Sequence, residues 1–358
     1  MRVVAAIAGV ILIALMLAEF FVTYLLPRRV RRDPRIARGL NRALWVPWRA
    51  FARQFAASTE DTLLGFFGPL GLISQLLIWT VGLILGFALL EFAAVGGSFG
   101  HGLLFSSGLF LNAEAVSGST IVHVIALVEA GVAIGVLFIV IGYLPAVYGS
   151  FSRREVAVSQ FGTRAGAPPA AGILLHRVAD RKRWLELERD LRDWEAWVAE
   201  LMETHLSYPI LGWYRSQHVS QNWLAALTVM TDVAAFVTAV EMDGEVEAAE
   251  LTYAIGQHAL ADISLQYRVE PAPVDRLSDD QFVKLYRLVE SALRNPVPCA
   301  EAGERLTALR QAYEPRAQAI AQLLALNLPP WLPPHAEDQQ LVELPGVRVR
   351  RRGRDLVG

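Results

Sequence analysis

The chain has almost no cysteine: Cys299 is the only one in 358 residues. That excludes a disulfide framework and any cysteine-built zinc site. Lysine is nearly missing too, with Lys182 and Lys284 alone. Beside the many alanines, this preference for arginine reads as genome composition rather than function. Charge is scarce, at 19% of residues against 54% hydrophobic, and the mean hydropathy is +0.35. Such a balance rules out a disordered chain and argues against an ordinary soluble enzyme. The formal net charge of −2 gives no nucleic-acid signal. No H-E-x-x-H, G-x-S-x-G, P-loop or G-x-G-x-x-G motif occurs, and His176, His205, His218, His258 and His335 are scattered. The expectation is therefore a non-enzyme without cofactor or metal. No alternating strand pattern of useful length competes with helical periodicity, and no internal repeat is evident.

Long hydrophobic runs are what the chain does have. Val3–Leu26 carries one charge, Glu19. At about 1.5 Å of rise per residue it reaches roughly 36 Å, enough for a hydrocarbon core of about 30 Å. A signal peptide is the competing reading, but the run is longer than a signal's apolar region and no cleavage site follows it. A second run lies within Leu63–Val95, and a third covers Thr120–Tyr148.

Arginine placement orients them. Residues 1–150 hold ten arginines against seven acids, whereas 151–358 are net acidic. Nine of those arginines, from Arg28 to Arg53, fall in Pro27–Asp61. The positive-inside rule puts that segment in the cytoplasm. Three spans then return Arg153 and Arg154 to the same side. Arg35, Arg38, Arg42, Arg49 and Arg53 alternate with Leu40, Leu44, Trp45, Trp48 and Phe51. Such a stretch reads either as an interfacial helix on anionic headgroups or as a simple topogenic loop. Ser58 to Asp61 offer N-cap residues for the next helix.

Between the second and third runs lies Gly96–Ser119. It opens on the turn signal Gly96-Gly97-Ser98 and continues into the apolar stretch His101–Leu111, too short to cross a bilayer. The polar Asn112–Ser119 follows. Helix, short apolar dip, polar loop, helix is the plan of a pore-loop channel.

On these residues the chain resembles a bacterial potassium-channel-like family, in which a membrane–pore-loop–membrane unit is joined to a helical cytoplasmic region. The resemblance is carried by the two spans with their loop, by Leu127–Gly131, Ile141–Pro145 and Phe151–Glu155, and by Glu203–Pro209, Tyr214–His218 and Asn222–Leu227. It covers roughly residues 65–265 and implies a tetrameric, cation-conducting membrane protein. The departure is in the filter. A potassium filter is a T-V-G-Y-G-type strand of backbone carbonyls, whereas this window reads Leu109-Phe110-Leu111-Asn112-Ala113-Glu114-Ala115-Val116, with no glycine between Gly108 and Gly118. No filter residue carries over. Three readings remain open: a channel selecting through side chains, a non-conducting relative, and an accessory subunit.

The pore-loop candidates are Ser107, Gly108, Asn112 and Glu114. Four copies of Glu114 would form a carboxylate ring, which favours cations; the plainer reading is an exposed loop acid. The inner-helix candidates are Glu129, Gly131 and Gly135. An acid within a span is costly and is a functional candidate by default. Glu129 is read first as bracing the hairpin through Ser106 or Ser107, and second as an ion ligand. Gly131, Gly135 and Gly142 allow close helix packing or bending, and Pro145 could kink the span.

The second half reads as an all-helical bundle of about five helices. Gly162–Gly172 is a linker or turn by composition. In Asp180–His205 the residues Trp184, Leu187, Leu191, Trp194, Val198 and Leu201 form one apolar stripe. Gln217–Val240, Glu245–Ser264, Ser278–Asn295 and Ala300–Leu326 continue the pattern. His205, Tyr208, Arg215, Gln217, His218 and Asn222 suggest a buried polar network or a ligand pocket, the network first. Leu328–Pro334 is proline-rich and extended; the basic tail after it either touches anionic lipid or has no role.

The expectation is thus an all-α integral membrane protein: three transmembrane helices with a re-entrant pore helix, followed by a helical cytoplasmic domain. Its parts are a first transmembrane helix (1–27), a basic interfacial segment (28–61), a pore-loop channel-like domain (62–150), a helical cytoplasmic domain (151–327) and a tail (328–358). The expected setting is the inner (plasma) membrane. The expected partners are lipid, a monovalent cation if it conducts, and three further copies, with no nucleic acid. The alternative is a non-conducting, membrane-anchored sensor, scaffold or accessory subunit; a membrane hydrolase is a third.

Overall fold

The computed structural model describes residues 1–24, 36–111, 116, 118–166, 168–180, 183–216, 221–241, 247–293 and 295–333. Among them the structure is helical, with no strand and one isolated bridge between Glu241 and Pro296. The chain divides into two compact units, Met1–Phe151 and Ser152–Gly358.

The first unit is built from α1 (Arg2–Tyr24), α2 (Ile36–Ala52), α3 (Ala57–Gly65), α4 (Phe67–Val95), α5 (Phe99–Phe110) and the first part of α6 (Thr120–Ala165). Small residues let α1 and α4 approach closely. A Cβ on Gly9 would lie 2.7 Å from the Gly86 carbonyl oxygen, and one on Gly82 would lie 2.5 Å from Met16 Sδ. The order of contacts makes the pair antiparallel: Arg2 stands against Gly96, Gly9 against Gly86, Met16 against Gly82, and Phe20 against Trp79. Met16, Phe20, Trp79 and Leu83 form the buried centre. Phe110 of α5 and Val132, Val136 and Ile139 of α6 pack onto it. Those three α6 residues follow the spacing of one helical face.

One local expectation changes. Ser58 to Asp61 do not cap a helix, because α3 begins at Ala57 with Ala56 as N-cap and takes all four residues inside. Glu60 in the first turn still faces the positive helix end. Pro145 lies inside α6, which runs from Thr120 to Ala165. The Trp48 indole donates to the Leu63 carbonyl at 2.9 Å, tying α2 to α3.

The second unit contains the end of α6, then α7 (Ala171–Asp180), α8 (Trp184–Ser207), a 3-10 turn (Pro209–Trp213), α9 (Trp223–Val240), α10 (Glu247–Tyr267), α11 (Asp279–Val289) and α12 (Cys299–Leu324). The expected linker is shorter than its composition suggests: α6 runs to Ala165, the chain turns at Gly166, with φ of +91°, and α7, which buries Leu174 and Leu175, starts at Ala171. Ser278 and Gln281 make a reciprocal capping box at the start of α11. α9 is the central helix, with every residue but Thr238 buried.

Among the described residues, four helical stretches are long and apolar enough to cross a membrane: Arg2–Tyr24, Ala57–Val95, Thr120–Ala165 and Trp223–Val240. Burial separates them. The last is 94% covered by its own chain, so protein already meets its apolar demand, whereas the other three are 28%, 33% and 17% covered. On α6 the exposed side chains include Leu127, Leu137, Phe138 and Ile141, while Glu129 is buried; on α4, Ile73, Leu77 and Val81 are exposed while Gln75 and Glu91 are buried. Apolar residues outward and polar residues inward is the arrangement suited to a lipid surround.

Candidate functional site

The reversal after α4 is built by Gly96 and Gly97, with φ of +80° and +89°, values that side-chain-bearing residues resist. Ser98 then caps α5, its hydroxyl accepting from the His101 N–H at 3.3 Å. α5 turns back along α4. Near its start, Gly102 sits where a Cβ would be 2.9 Å from the Ala88 carbonyl oxygen. One turn on, Ser106 Oγ lies 3.0 Å from the Ile84 carbonyl oxygen. At its end Phe110 packs against the cluster around Leu83 and Trp79.

Three helical distances agree on how far α5 reaches. At about 1.5 Å of rise per residue, Ile84 is about 16 Å along α4 from Val95, Ser106 about 10 Å along α5 from Phe99, and Glu129 about 14 Å along α6 from Thr120. Ser106 Oγ contacts both Ile84 O and Glu129 Oε1. The last turn of α5 therefore lies beside the middle stretches of α4 and α6, well away from Val95 and Thr120. From Leu111 to Thr120 the chain can stretch to about 30 Å, enough to climb back to the start of α6.

Of the sequence candidates, Glu129 is fully buried and bonded to Ser106, the first of its two expected partners. The Ser107 hydroxyl turns instead to its own helix, donating to the Leu103 carbonyl at 2.7 Å. Gly108 lies half-buried in the last turn of α5. Asn112 and Glu114 lie outside the described residues. Gly131 and Gly135 do not pack closely on this chain: a Cβ on either would meet nothing within 4 Å. The reason is helical phase, since α6 turns Val132 and Val136 to α1 and α4 instead.

Gly102→Leu is expected to unseat α5, because the obstacle is a backbone carbonyl that cannot rotate away. The expected cost is about 1–3 kcal/mol. Hydrogen exchange checks it: protection of the α5 amides should fall roughly tenfold or more while α9 keeps its own.

The polar group anticipated around His205 is organised differently. Gln217 and His218 lie outside the described residues. Arg215 donates to the Ala325 carbonyl at 2.7 Å, and Asn222 caps α9 through the Ala225 N–H at 2.7 Å. His205 meets Arg154, whose buried guanidinium donates to the Leu211 and Tyr214 carbonyls, both at 2.8 Å, and lies 3.3 Å from His205 Nε2. Sequence reasoning took Arg154 only as a topogenic charge. It missed a second network entirely. Asp232, within apolar α9, receives Arg276 Nη2 at 2.5 Å and Nη1 at 3.0 Å. Arg276 also reaches Glu314 at 2.7 Å, and Arg310 meets the same carboxylate at 3.1 Å. The Tyr313 hydroxyl donates to Asp232 at 2.5 Å; burial pushes it well above its ordinary pKa, so it stays a donor. Hydrogen bonding from Arg310 holds the exposed Asp275 carboxyl below its usual range. The Trp331 indole donates to Glu314 at 3.0 Å, closing the group. The readable signal was Asp232 itself, an acid in the middle of an apolar helix.

These networks are internally paired, so they read as architecture, and no group of three metal-ligating side chains occurs among the described residues. The α4–α5–α6 hairpin remains the candidate site. Compared with protein-family models, curated proteins and solved structures, the chain matches none.

Proposed function

We propose that the chain is an ion-channel-like integral membrane protein, with α5 as a re-entrant pore helix and a cation pathway beside its C-terminal end. In this reading α1, α4 and the first part of α6 are the three spans, and α7–α12 form a cytoplasmic domain under the inner membrane. The observation that carries the reading is the path of α5. It returns along α4 to the level of Ile84 and ends there, in the midst of apolar side chains. A short helix that dips into lipid and leaves on the side it entered is the usual way to bring a loop to a pathway axis. One such loop per chain calls for several chains. The exposed face of α6 at Gly131 and Gly135 has the small residues through which membrane helices approach closely, which supports a homo-oligomer, a tetramer by the resemblance.

A second reading, a non-conducting scaffold or accessory subunit, is favoured by one observation: no glycine occurs between Gly108 and Gly118 to shape a carbonyl filter. Flux decides between them. Purified protein in liposomes is expected to pass potassium or sodium, and Glu114→Gln is expected to change the cation preference. Intact oligomers that pass neither ion at either sign of voltage would leave the scaffold. Unchanged preference in Glu114→Gln would remove the carboxylate ring and keep the pathway.

A further inference from the structure

Gly102 and Ser106 are one turn apart on one face of α5, so they are neighbours. Glu91 of α4 lies beside the first, with its Cβ 3.5 Å from the position of a Gly102 Cβ. Glu129 of α6 is bonded to the second. Both acids are buried, at 5% and 0% exposure, and Glu91 acts electrostatically on Glu129. Among the described residues, Glu91 Oε1 and Glu129 Oε2 have no hydrogen-bond partner. Two ionised carboxylates in such a place would each keep a buried oxygen without a hydrogen bond and would repel one another, which interiors avoid.

The serine adds an independent argument. A hydroxyl has one proton to give. Ser106 Oγ touches both the Ile84 carbonyl, which only accepts, and Glu129 Oε1. If Ser106 donates to Ile84, its contact with Glu129 is a hydrogen bond only when Glu129 brings a proton. The charged and titratable groups around the pair are few. His101 on α5 is exposed and acts on Glu91. Arg2 of α1 lies against Gly96. His123 of α6 is exposed, its ring beside the Ser119 carbonyl.

We propose that Glu91 and Glu129 form a proton-binding site that holds one proton between them beside one face of α5. The proton comes from solvent hydronium: one of its O–H bonds breaks, leaving water, as a carboxyl O–H bond forms, and the pair goes from two negative charges to one. Loss of that proton sets like charges on either side of α5, so the seating of the hairpin follows pH. The site rests on the packing of α4, α5 and α6 and not on conduction, so it stands or falls separately from the flux experiment.

Infrared titration of the full chain in lipid bilayers tests it. The wild type is expected to show, at neutral pH, a deuterium-sensitive carbonyl band of a protonated carboxyl. Glu129→Gln should abolish the band at that pH. Glu91→Gln should leave one that appears only at a proton concentration at least tenfold higher, since a like charge has gone. Glu19→Gln, at a further buried acid among the described residues of this unit, should change nothing. A wild type with no such band at neutral pH overturns the proposal. So does a band that persists unchanged in Glu91→Gln, which serves alone if Glu129→Gln does not fold, or one that vanishes only in Glu19→Gln.

Discussion

Replacing Asp232 with alanine is expected to destabilise the protein by about 3–5 kcal/mol, the cost of stranding one member of a buried ion pair. Arg276 is the stranded member, with a side chain 6% exposed. It would keep Glu314 at 2.7 Å and the Pro329 carbonyl at 2.9 Å, but both bonds to Asp232 would go. The Tyr313 hydroxyl would lose its acceptor as well. Denaturant unfolding of the detergent-solubilised chain, followed by tryptophan fluorescence, measures the loss. The informative contrast is the double variant Asp232→Leu with Arg276→Met. It removes both charges and keeps volume, and buried pairs replaced whole in this way often cost little. If the double variant is as unstable as Asp232→Ala, the cost lies in packing around α9 and not in the unpaired guanidinium.

Trp331→Ala is the second large effect, again about 3–5 kcal/mol, for truncating a buried tryptophan. Trp331 is 0% exposed although it lies in a proline-rich segment with no secondary structure. Its carbonyl accepts the Gly172 N–H at 2.9 Å, its indole donates to Glu314, and Arg276 and Arg310 each stand 5.9 Å from its ring centre. Gly172 has room for nothing larger, since a Cβ there would meet Leu332 at 2.5 Å. The segment is therefore fastened to α7 on one side and to α12 on the other. Trp331→Phe keeps most of the buried area and loses the indole bond, worth about 1 kcal/mol, so it should fall between wild type and alanine in the same unfolding measurement. Equal stability of the alanine variant and the wild type would mean that the segment is not fastened in solution.

What could be read from the sequence follows from the kind of signal each part gives. Long apolar runs and 3.6-residue stripes are local, so α1, α4 and α8 were legible within a few residues. So was the bond between Glu129 and Ser106, because an acid inside an apolar helix needs a nearby donor and the short apolar helix of the hairpin offers two serines, Ser106 and Ser107. Helix ends were less legible: α3 absorbed its expected cap residues, and the end of α6 and the start of α7 reach into 162–172, a stretch whose Gly and Pro content reads as turn. The network of Asp232, Arg276, Arg310, Glu314 and Trp331 was invisible. Its members come from α9, the α10–α11 connection, α12 and the chain beyond it, and no periodicity links such separations. Gly131 and Gly135 show the remaining gap. Composition marks them as packing positions, but only the phase of α6 against α4 tells which face this chain leaves open.

Asp232 has a consequence that begins before the protein folds. α9 emerges from the ribosome as an eighteen-residue greasy segment, the kind of substrate a translocon diverts sideways into lipid. An aspartate at the middle of such a segment penalises that diversion by about 2.5–3.5 kcal/mol. The carboxylate that later anchors Arg276 thus also weighs against misrouting α9 during synthesis, and chain topology and core assembly draw on the same side chain.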